Sequence, residues 1–427
     1  MTKRACLALL LIAASWACAG ETVAWRNGLW FDGAGFVPGT RHSVEGVFVA
    51  EVPATVDRTV ELGGRHVVPA YGDAHHHGID SADAIDDKIL VFLEAGIYYV
   101  KNPNAIAELV APVRDKLGRA DTIDVAFAHG GLTSPGGHPA PIHDYMARAG
   151  VFPGLGPADM EDRAYFAIDT EDELERKWPR IAGGRADFVK VFLLFAGEHA
   201  KRRHEPSSAR GLDPDLLRAV VRRARAAALR VSAHVDTADD FRRAVEAGVD
   251  EINHLPQPDP RFSADLAAYV IDAQTARRAA EKGITVVTTA STTERLSGSA
   301  LPPEWVPAMR SNQAANLATL RAAGVKLAIG SDGISGERRF VTGRDEVRFL
   351  ARQGMLDNLS LLRAFAVHAP QTIVPHRKVG ELRAGFEANF LVLAGDPLAD
   401  AENLHRIAMR VKAGRVLPAM PAIVLGR

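Results

Sequence analysis

Short apolar runs alternate with amphipathic stretches through the middle of the chain. The apolar runs have the length and the β-branched content of buried strands, and they lie at 66–72, 96–102, 123–130, 187–195, 229–235, 249–255, 283–289 and 325–332. Helical patterns separate most of them, and the clearest spans Asp213 to Ala228, with Asp213 as N-cap and Pro214 in the first turn. Eight strands with intervening helices predict an α/β fold, a (β/α)8 TIM barrel, with a doubly wound open sheet as the alternative.

The two ends of the chain carry a different pattern. Residues 21–68 have the character of short strands separated by Gly-containing turns, and strand patterns recur at 389–395 and 407–416. Neither end has a helix long enough to bury a face alone, so pairing the two ends would bury both. We therefore predict a small β-sandwich formed by residues 20–66 and 373–427, and a barrel formed by residues 67–372.

The first nineteen residues have the pattern of a secretory signal peptide. A charged pair precedes a short apolar run (LALLLIAA), and an A-x-A triplet follows at residues 17–19. The apolar run is too short to span a bilayer. We expect segment 1–19 to be removed and the mature protein to be exported, periplasmic or secreted, without membrane insertion. A retained anchor and a lipid on Cys18 are the alternatives.

Composition narrows the classes of function. Of 427 residues, 47% are hydrophobic and 24% are charged, and the formal net charge is −1. The apolar content supports a large core, and the balanced charge argues against a nucleic-acid-binding protein. Both cysteines, Cys6 and Cys18, lie in the signal segment, which excludes a thiolate metal site or a disulfide scaffold in the rest of the chain.

Histidines stand where predicted strands end. His75 and His77 follow the first barrel strand and, because side chains alternate in a strand, they point to one face while His76 points to the other. His234 and His254 end the fifth and sixth strands. Each alone also fits a hydrogen-bonded polar cap.

The eighth predicted strand ends at a carboxylate, Asp332. Because the C-terminal strand ends of a barrel converge on one pocket, this oxygen donor and the four histidines predict a shared metal site.

Lys190 lies within an apolar run, DFVKVFLLF. A buried ammonium without a partner is costly, so the amine is expected to be neutral or paired. A neutral amine can react with CO2, and the resulting carbamate has two oxygens with which to bridge two metal ions. The alternatives are a lysine that reaches solvent or pairs with a carboxylate.

With these motifs the chain resembles the amidohydrolase superfamily, in its imidazolonepropionase/prolidase-like branch, over nearly the whole mature sequence. The resemblance is carried by VVPAYGDAHHH (67–77), DFVKV (187–191), GLDPDLL (211–217), VSAHVD (231–236), VDEINHL (249–255), AIGSDG (328–333) and VGELRAGFEANFLVLAGDPL (379–398). The chain departs from the usual family pattern at Pro69-Ala70 and at 388–390, which are structural positions. It most resembles an exported subgroup that carries YYVKNPN (98–104).

The resemblance implies a barrel with a binuclear metal site. It implies that His75 and His77 bind the first metal together with Asp332, that carboxylated Lys190 bridges, and that the second metal is bound by His234 and His254. Two divalent cations, Zn2+ before Mn2+ or Fe2+, would lower the pKa of a bridging water toward ~7. Asp332 would take the proton of that water and pass it to the leaving group.

Substrate contacts are predicted on the same face. His138 follows the third strand and would donate to the scissile carbonyl or to a substrate carboxylate; a loop-stabilising histidine is the alternative. Cationic side chains predicted at the pocket are Lys101, Arg202, Arg203, Arg338 and Arg339. One of them could hold a carboxylate by a paired hydrogen bond, although solvated loop charge is the default for the arginines.

The predicted activity is hydrolysis of a C–N bond by a metal-bridging hydroxide, in a small-molecule amide such as a dipeptide or an N-acyl amino acid. A lactonase or esterase with the same site is the alternative enzyme, and a mononuclear deaminase is disfavoured by Lys190. A metal-bound exported binding protein without turnover is the alternative outside catalysis.

Overall fold

A computed structural model describes residues 21–204, 209–297, 302–334 and 340–419. The predicted signal segment, with Cys6 and Cys18, lies outside these residues. Within the described ranges, no helix combines the length and apolar character needed to cross a bilayer.

The strands are β1 (Thr22–Phe31), β2 (Phe36–Val44), β3 (Val47–Val49), β4 (Arg58–Glu61), β5 (His66–Pro69), β6 (Tyr71–Asp73), β7 (Ile97–Ala105), β8 (Asp124–His129), β9 (Gly131–Thr133), β10 (Tyr165–Ala167), β11 (Phe188–Leu193), β12 (Arg230–Val235), β13 (Glu251–Asn253), β14 (Thr285–Val287), β15 (Lys326–Ala328), β16 (Phe390–Leu393), β17 (Ile407–Lys412) and β18 (Arg415–Val416).

The α-helices are α1 (Ile85–Glu94), α2 (Ala107–Val110), α3 (Ala140–Arg148), α4 (Glu171–Ile181), α5 (Leu217–Ala226), α6 (Ala238–Ala247), α7 (Ala273–Glu281), α8 (Thr292–Leu296), α9 (Val306–Ala322), α10 (Gly343–Arg352), α11 (Asn358–Arg363) and α12 (Ala369–Ile373). A π-helical turn, Ala364–His368, joins the last two. Short 3-10 helices lie at Ala111–Lys116, Pro157–Asp159, Ala196–Glu198, Lys201–His204, Pro214–Leu216, Leu266–Tyr269, Pro303–Trp305 and Ala401–His405.

The two chain ends meet in one mixed sheet, with the strand order β18-β17-β16-β5-β1-β2-β3 and β4 paired to β1. Strand β16 runs antiparallel to β5, so that Phe390 pairs with Pro69. The ring of Phe390 lies 4.9 Å from that of Trp25 and 5.5 Å from that of Trp30, and all three side chains are buried. The prediction that both ends pair is therefore confirmed, and their layering as a sandwich stays a prediction.

Parallel strands with intervening helices make up the middle of the chain. Strands β6 to β8 form one sheet, and a second has the order β10-β9-β11-β12-β13-β14-β15. Backbone hydrogen bonds from Ala74 N to Ile329 O (2.8 Å) and from Asp187 N to Phe127 O (2.8 Å) connect the two sheets. The predicted parallel α/β architecture is confirmed. The sequential order β11 to β15 lacks the reversal of a doubly wound sheet.

The predicted first barrel strand, 66–72, is in fact two strands in two sheets. Residues up to Pro69 pair with β16, whereas Tyr71 donates its N–H to Gly96 O and starts β6 beside β7. The sequence gives no sign of this change because the residues are apolar on both sides of Ala70. A single strand over 66–72 was therefore wrong, and β9 and β10 were not predicted.

The clearest predicted helix forms as expected. The Asp213 side chain accepts a hydrogen bond from Asp215 N (3.0 Å), and Pro214 begins a 3-10 turn that continues into α5. The helix buries Leu217 and Val221 against the parallel strands.

Candidate active site

Two imidazoles and one carboxylate converge beyond the ends of β6 and β15. His75 Nε2 lies 3.2 Å from His77 Nε2, and Asp332 Oδ1 lies 3.3 Å and 3.4 Å from these two nitrogens. Burial, followed by the charge of Lys190, lowers the pKa of His75 to about 3, so its lone pair is free to coordinate. In the described residues this is the group of three donors close enough to share a metal ion.

The separations fit an ion at the centre of the trio. Ligands bound about 2.0–2.1 Å from a tetrahedral ion lie about 3.3–3.4 Å apart. The three measured separations, 3.2–3.4 Å, match this spacing. Imidazole nitrogen and carboxylate oxygen are also the donors that Zn2+ and related divalent ions accept.

Strand alternation orients the paired histidines. His76 is fully buried on the opposite face, where Gly78 N donates to its Nδ1 (2.7 Å) and its Nε2 lies 2.9 Å from Val341 O. Its ring packs against Phe92 and Phe340. The predicted division of the triplet, with His75 and His77 together and His76 away, is therefore what the structure has.

A buried carboxylate, Asp73, joins the two chain segments that carry the trio. It accepts hydrogen bonds from Ser331 N (2.9 Å), Ser331 Oγ (2.7 Å), Gly343 N (2.9 Å) and, at 3.4 Å, His75 N. Because Ser331 precedes Asp332, this carboxylate fixes the distance between the histidine and aspartate donors. Asp73 was not predicted from the sequence.

Asp73→Asn is expected to destabilise the protein by about 2–3 kcal/mol, because an amide NH2 would face buried N–H donors that then lose their acceptor. Urea unfolding gives the free energy. The control is Asp57→Asn, whose exposed carboxylate accepts one bond, from Thr22 N, and which should change stability by at most about 0.5 kcal/mol. Equal effects of the two substitutions would show that Asp73 has no special role.

His254 and Asp332 reach the site through left-handed backbone. Their φ angles are +73° and +52°, a region that non-glycine residues rarely adopt and that is often found at functional sites. In an extended strand His254 would point away from the face shared by Glu251 and Asn253. The turn instead brings its ring within 4.7 Å of the His75 ring and 4.3 Å of the His234 ring.

Hydrogen bonds hold the second pair of imidazoles. Thr289 Oγ1 lies 2.7 Å from Nδ1 of His254, which leaves Nε2 for a ligand. Nε2 of His234 lies 3.0 Å from Asp236 Oδ1, a carboxylate that the sequence analysis missed and whose pKa burial raises to about 6. Burial lowers the pKa of His234 to about 3 and that of His254 well below its usual value, so both rings are neutral.

Lys190 lies on the inward face of β11, in register with Ser232 of β12. Two residues further along β11, Phe192 is in register with His234. Lys190 is the third residue of this six-residue strand, so it lies inside the strand and not at its C-terminal end. The side chain is 1% exposed. Burial lowers the pKa of its amine to about 7.

Lys101 is not at the pocket mouth, contrary to prediction. It lies in the middle of β7, and its Nζ donates to Glu251 Oε1 (2.9 Å) in the interior, where both side chains are buried. Thr372 Oγ1 also donates to Glu251 (2.5 Å). The ammonium is therefore a structural partner of a carboxylate and is not free to hold a substrate.

Stability should depend on this pair below pH 5. Burial raises the pKa of Glu251, but the Lys101 ammonium and two hydrogen bonds outweigh it and bring the pKa to about 2. Because the folded pKa lies below the unfolded value of about 4.3, the contribution is full above about pH 4.5 and is lost as the pH falls toward 2.

Glu251→Gln should therefore cost about 3 kcal/mol at pH 7, and the difference from wild type should shrink between pH 4.5 and pH 2. Denaturant unfolding at several pH values measures it. Glu61→Gln, an exposed carboxylate that accepts from Gly63 N, is the control. A difference that stays constant down to pH 2 would contradict the assignment of the pKa.

The remaining predicted substrate contacts are distributed unevenly. The His138 ring lies 5.2 Å from the His234 ring, and burial lowers the pKa of His138 to about 3. Arg202 is neither solvated nor aimed at a substrate, since it pairs with Glu198 (2.9 Å) and lies over the Phe195 ring. The Arg203 side chain, Arg338 and Arg339 fall outside the described part of the chain.

Arg295, on α8, was missed by sequence reasoning. Its guanidinium donates to Ser331 O (3.1 Å) and Asp332 O (2.8 Å). It thereby supports the left-handed turn that carries the aspartate donor. No local motif marks it, because the contact joins α8 to the turn after β15.

Comparison with known proteins gives the family of the chain. The model of the amidohydrolase family matches residues 66–417. The chain belongs to the amidohydrolase family. The resemblance to the amidohydrolase superfamily that the sequence indicated is thus confirmed. Ochratoxinase from Aspergillus niger is 25% identical over 219 residues, which cover 50% of this amidohydrolase and 42% of that protein. The chain therefore matches under half the length of that curated relative.

Solved structures share the fold of this amidohydrolase. The ochratoxinase crystal structure superposes with a TM-score of 0.71 at 19% identity, covering 93% of this chain and 96% of that one. A prolidase complexed with N-methylphosphonate-L-proline gives 0.70 at 21% identity, covering 93% and 99%. A Xaa-Pro dipeptidase with bound methionine gives 0.70 at 16% identity, covering 93% and 100%.

Proposed function

We propose that this amidohydrolase is a binuclear metal-dependent hydrolase that cleaves a C–N bond in a small amide bearing a carboxylate, such as a dipeptide or an N-acyl amino acid. The observation that carries the proposal is the trio of His75, His77 and Asp332, whose donor atoms are spaced for one tetrahedral ion. We place the site at the C-terminal mouth of a closed (β/α)8 barrel, where such enzymes carry their chemistry.

The site has donors for a second ion. His234 and His254 are neutral, and the His254 ring lies 4.7 Å from the His75 ring of the trio and 4.3 Å from the His234 ring. Lys190 is buried below them and has no carboxylate partner among the described residues. As a carbamate it would supply two oxygens and a negative charge, which suits a bridge between two cations. We propose Zn2+ for both positions, because imidazoles and carboxylates suit it.

Each side chain then has a distinct task. The bound cations would acidify a water molecule and polarise the scissile carbonyl. Asp332 Oδ2 would accept the proton of that water and return it to the leaving amine. His138, a neutral ring beside His234, would donate an N–H to the carbonyl oxygen or to the carboxylate of the substrate. Arg295 would keep Asp332 in place from behind.

The relatives support the choice of bond. Two of the structural relatives, a prolidase and a Xaa-Pro dipeptidase, have names that denote cleavage of a peptide bond. Ochratoxinase matches this chain in sequence and in fold. These activities are those of the relatives. For this chain they make dipeptides and N-acyl amino acids the first compounds to test.

The test is metal analysis of the purified protein together with a panel of dipeptides, N-acyl amino acids and lactones. We expect two divalent ions per chain and turnover of at least one amide. Turnover of lactones alone would replace the proposal by a lactonase. Two bound metals without hydrolysis of any compound would favour a binding protein without turnover.

A further inference from the structure

The buried Lys190 amine has a neutral acceptor. Its Nζ donates to Oδ1 of Asn253, which is fully buried on β13. The ring of Phe192 lies 5.4 Å away on the same strand as the lysine. Among the described residues, no carboxylate forms a salt bridge with this amine, although Glu251 lies two positions from Asn253 on the same strand face.

The side-chain amide of Asn253 is held in one of its two orientations. Its Nδ2 donates to Glu251 Oε1 (3.0 Å), and Ser232 Oγ lies 2.8 Å both from Asn253 Oδ1 and from Glu251 Oε1. Glu251 is in turn held by the ammonium of Lys101 (2.9 Å). A flipped amide would direct its NH2 at the Lys190 donor and its oxygen at a carboxylate. The charge of Glu251 therefore fixes Oδ1 toward Lys190.

We propose that Asn253 is a positioning residue that holds Nζ of Lys190 both before and after the amine becomes a carbamate. This inference rests on the proposed function. In the reaction, the nitrogen lone pair forms the bond to the carbon of CO2, and one N–H proton leaves to solvent. The remaining N–H of the carbamate still points to Asn253 Oδ1, so the two new oxygens are directed away from the amide, toward the histidines.

A neutral side chain is required at this position. An aspartate would retain a charged amine as an ion pair, and it would place a second negative charge beside the anionic carbamate. Asparagine accepts the same hydrogen bond without either effect. Glu251, a buried carboxylate on the same strand as Asn253, pairs with Lys101 and accepts from the Asn253 amide, and its charge only partly offsets the effect of burial on the Lys190 pKa.

The experiment measures carbamate formation apart from turnover. Metal-free full-length protein is reloaded with Zn2+ at a series of bicarbonate concentrations, metal per chain is measured by mass spectrometry, and 13C-bicarbonate labels the carbamate for NMR. Asn253→Ala should raise the bicarbonate concentration for half-maximal loading roughly tenfold, the equivalent of one buried hydrogen bond. Asn253→Asp should abolish the carbamate signal. The control, Asn358→Asp, loses a donor to Leu398 O far from the site and should load as wild type.

The outcomes separate the two proposals. If wild type gives no carbamate signal, the bridge in the proposed function fails, whatever the variants do. If wild type gives the signal and both Asn253 variants load at the wild-type bicarbonate concentration, the positioning role is overturned. Should neither variant fold, Ser232→Ala removes only the hydroxyl beside the amide. It should still raise the bicarbonate requirement at least twofold, and an unchanged requirement would overturn the role.

Discussion

Lys190→Ala is expected to lower metal content from two ions per chain toward one or none and to reduce kcat by roughly 10³-fold or more. The bridge would supply a ligand to both ions, so its loss removes several kcal/mol of transition-state stabilisation. Metal analysis and steady-state kinetics measure the two effects. Lys282→Ala, an exposed lysine whose Nζ donates to Val245 O, is the control and should change neither.

Rescue experiments sharpen this prediction. Small carboxylic acids at high concentration supply two bridging oxygens and should restore part of the activity of Lys190→Ala. Lys190→Arg should not be rescued, because a guanidinium stays charged and forms no carbamate. A lysine with a purely structural role would give lower stability with unchanged metal stoichiometry. Two metals and near-normal turnover in Lys190→Ala would refute the bridge.

Asp332→Asn is expected to reduce kcat by about 10²- to 10⁴-fold with little change in KM, the range for removing a general acid–base. The amide keeps an oxygen for the ion but cannot accept the proton of the attacking water. Burial would raise the pKa of Asp332, but hydrogen bonds from His75 and His77 outweigh it and hold the pKa well below its usual range. The carboxylate is therefore ionised and ready to accept.

The matched control for this second substitution is Asp357→Asn, which changes an exposed carboxylate at the N-cap of α11. It should cost at most about 1 kcal/mol of stability and leave kcat unchanged. Metal content, measured on both variants, separates loss of a base from loss of an ion. Activity of Asp332→Asn within fivefold of wild type would assign the proton transfer to another residue.

Local periodicity predicted those features that depend on one strand. The shared face of His75 and His77 follows from alternation, and the pairing of the chain ends follows from apolar strands that lack helices. Asp332 was expected from its place after a strand of small and apolar residues. These inferences need no knowledge of the order or the register of the strands within the sheets.

Features that depend on register or on unusual backbone could not be predicted in this way. His254 reaches the site only because its φ is +73°, which no sequence pattern signals. Lys101 looked like a strand-end cation, and its partner Glu251 lies 150 residues away. The network of Ser232 and Asn253 could have been predicted. Ser232 lies two residues before His234, and Asn253 lies two residues after Glu251, so each is on the same strand face as a polar residue of its own strand.

The junction at Ala70 has a consequence for the order in which the chain assembles. Strand β5 closes against β16, with Pro69 opposite Phe390 and therefore more than 300 residues apart. During synthesis the Trp25 and Trp30 side chains cannot pack against Phe390 until residue 390 has been made, and contacts so distant in sequence are slow to form. A nascent chain stopped before residue 390 would therefore expose an aromatic sheet face and an unpaired strand edge, and we expect chaperones to bind it in that state.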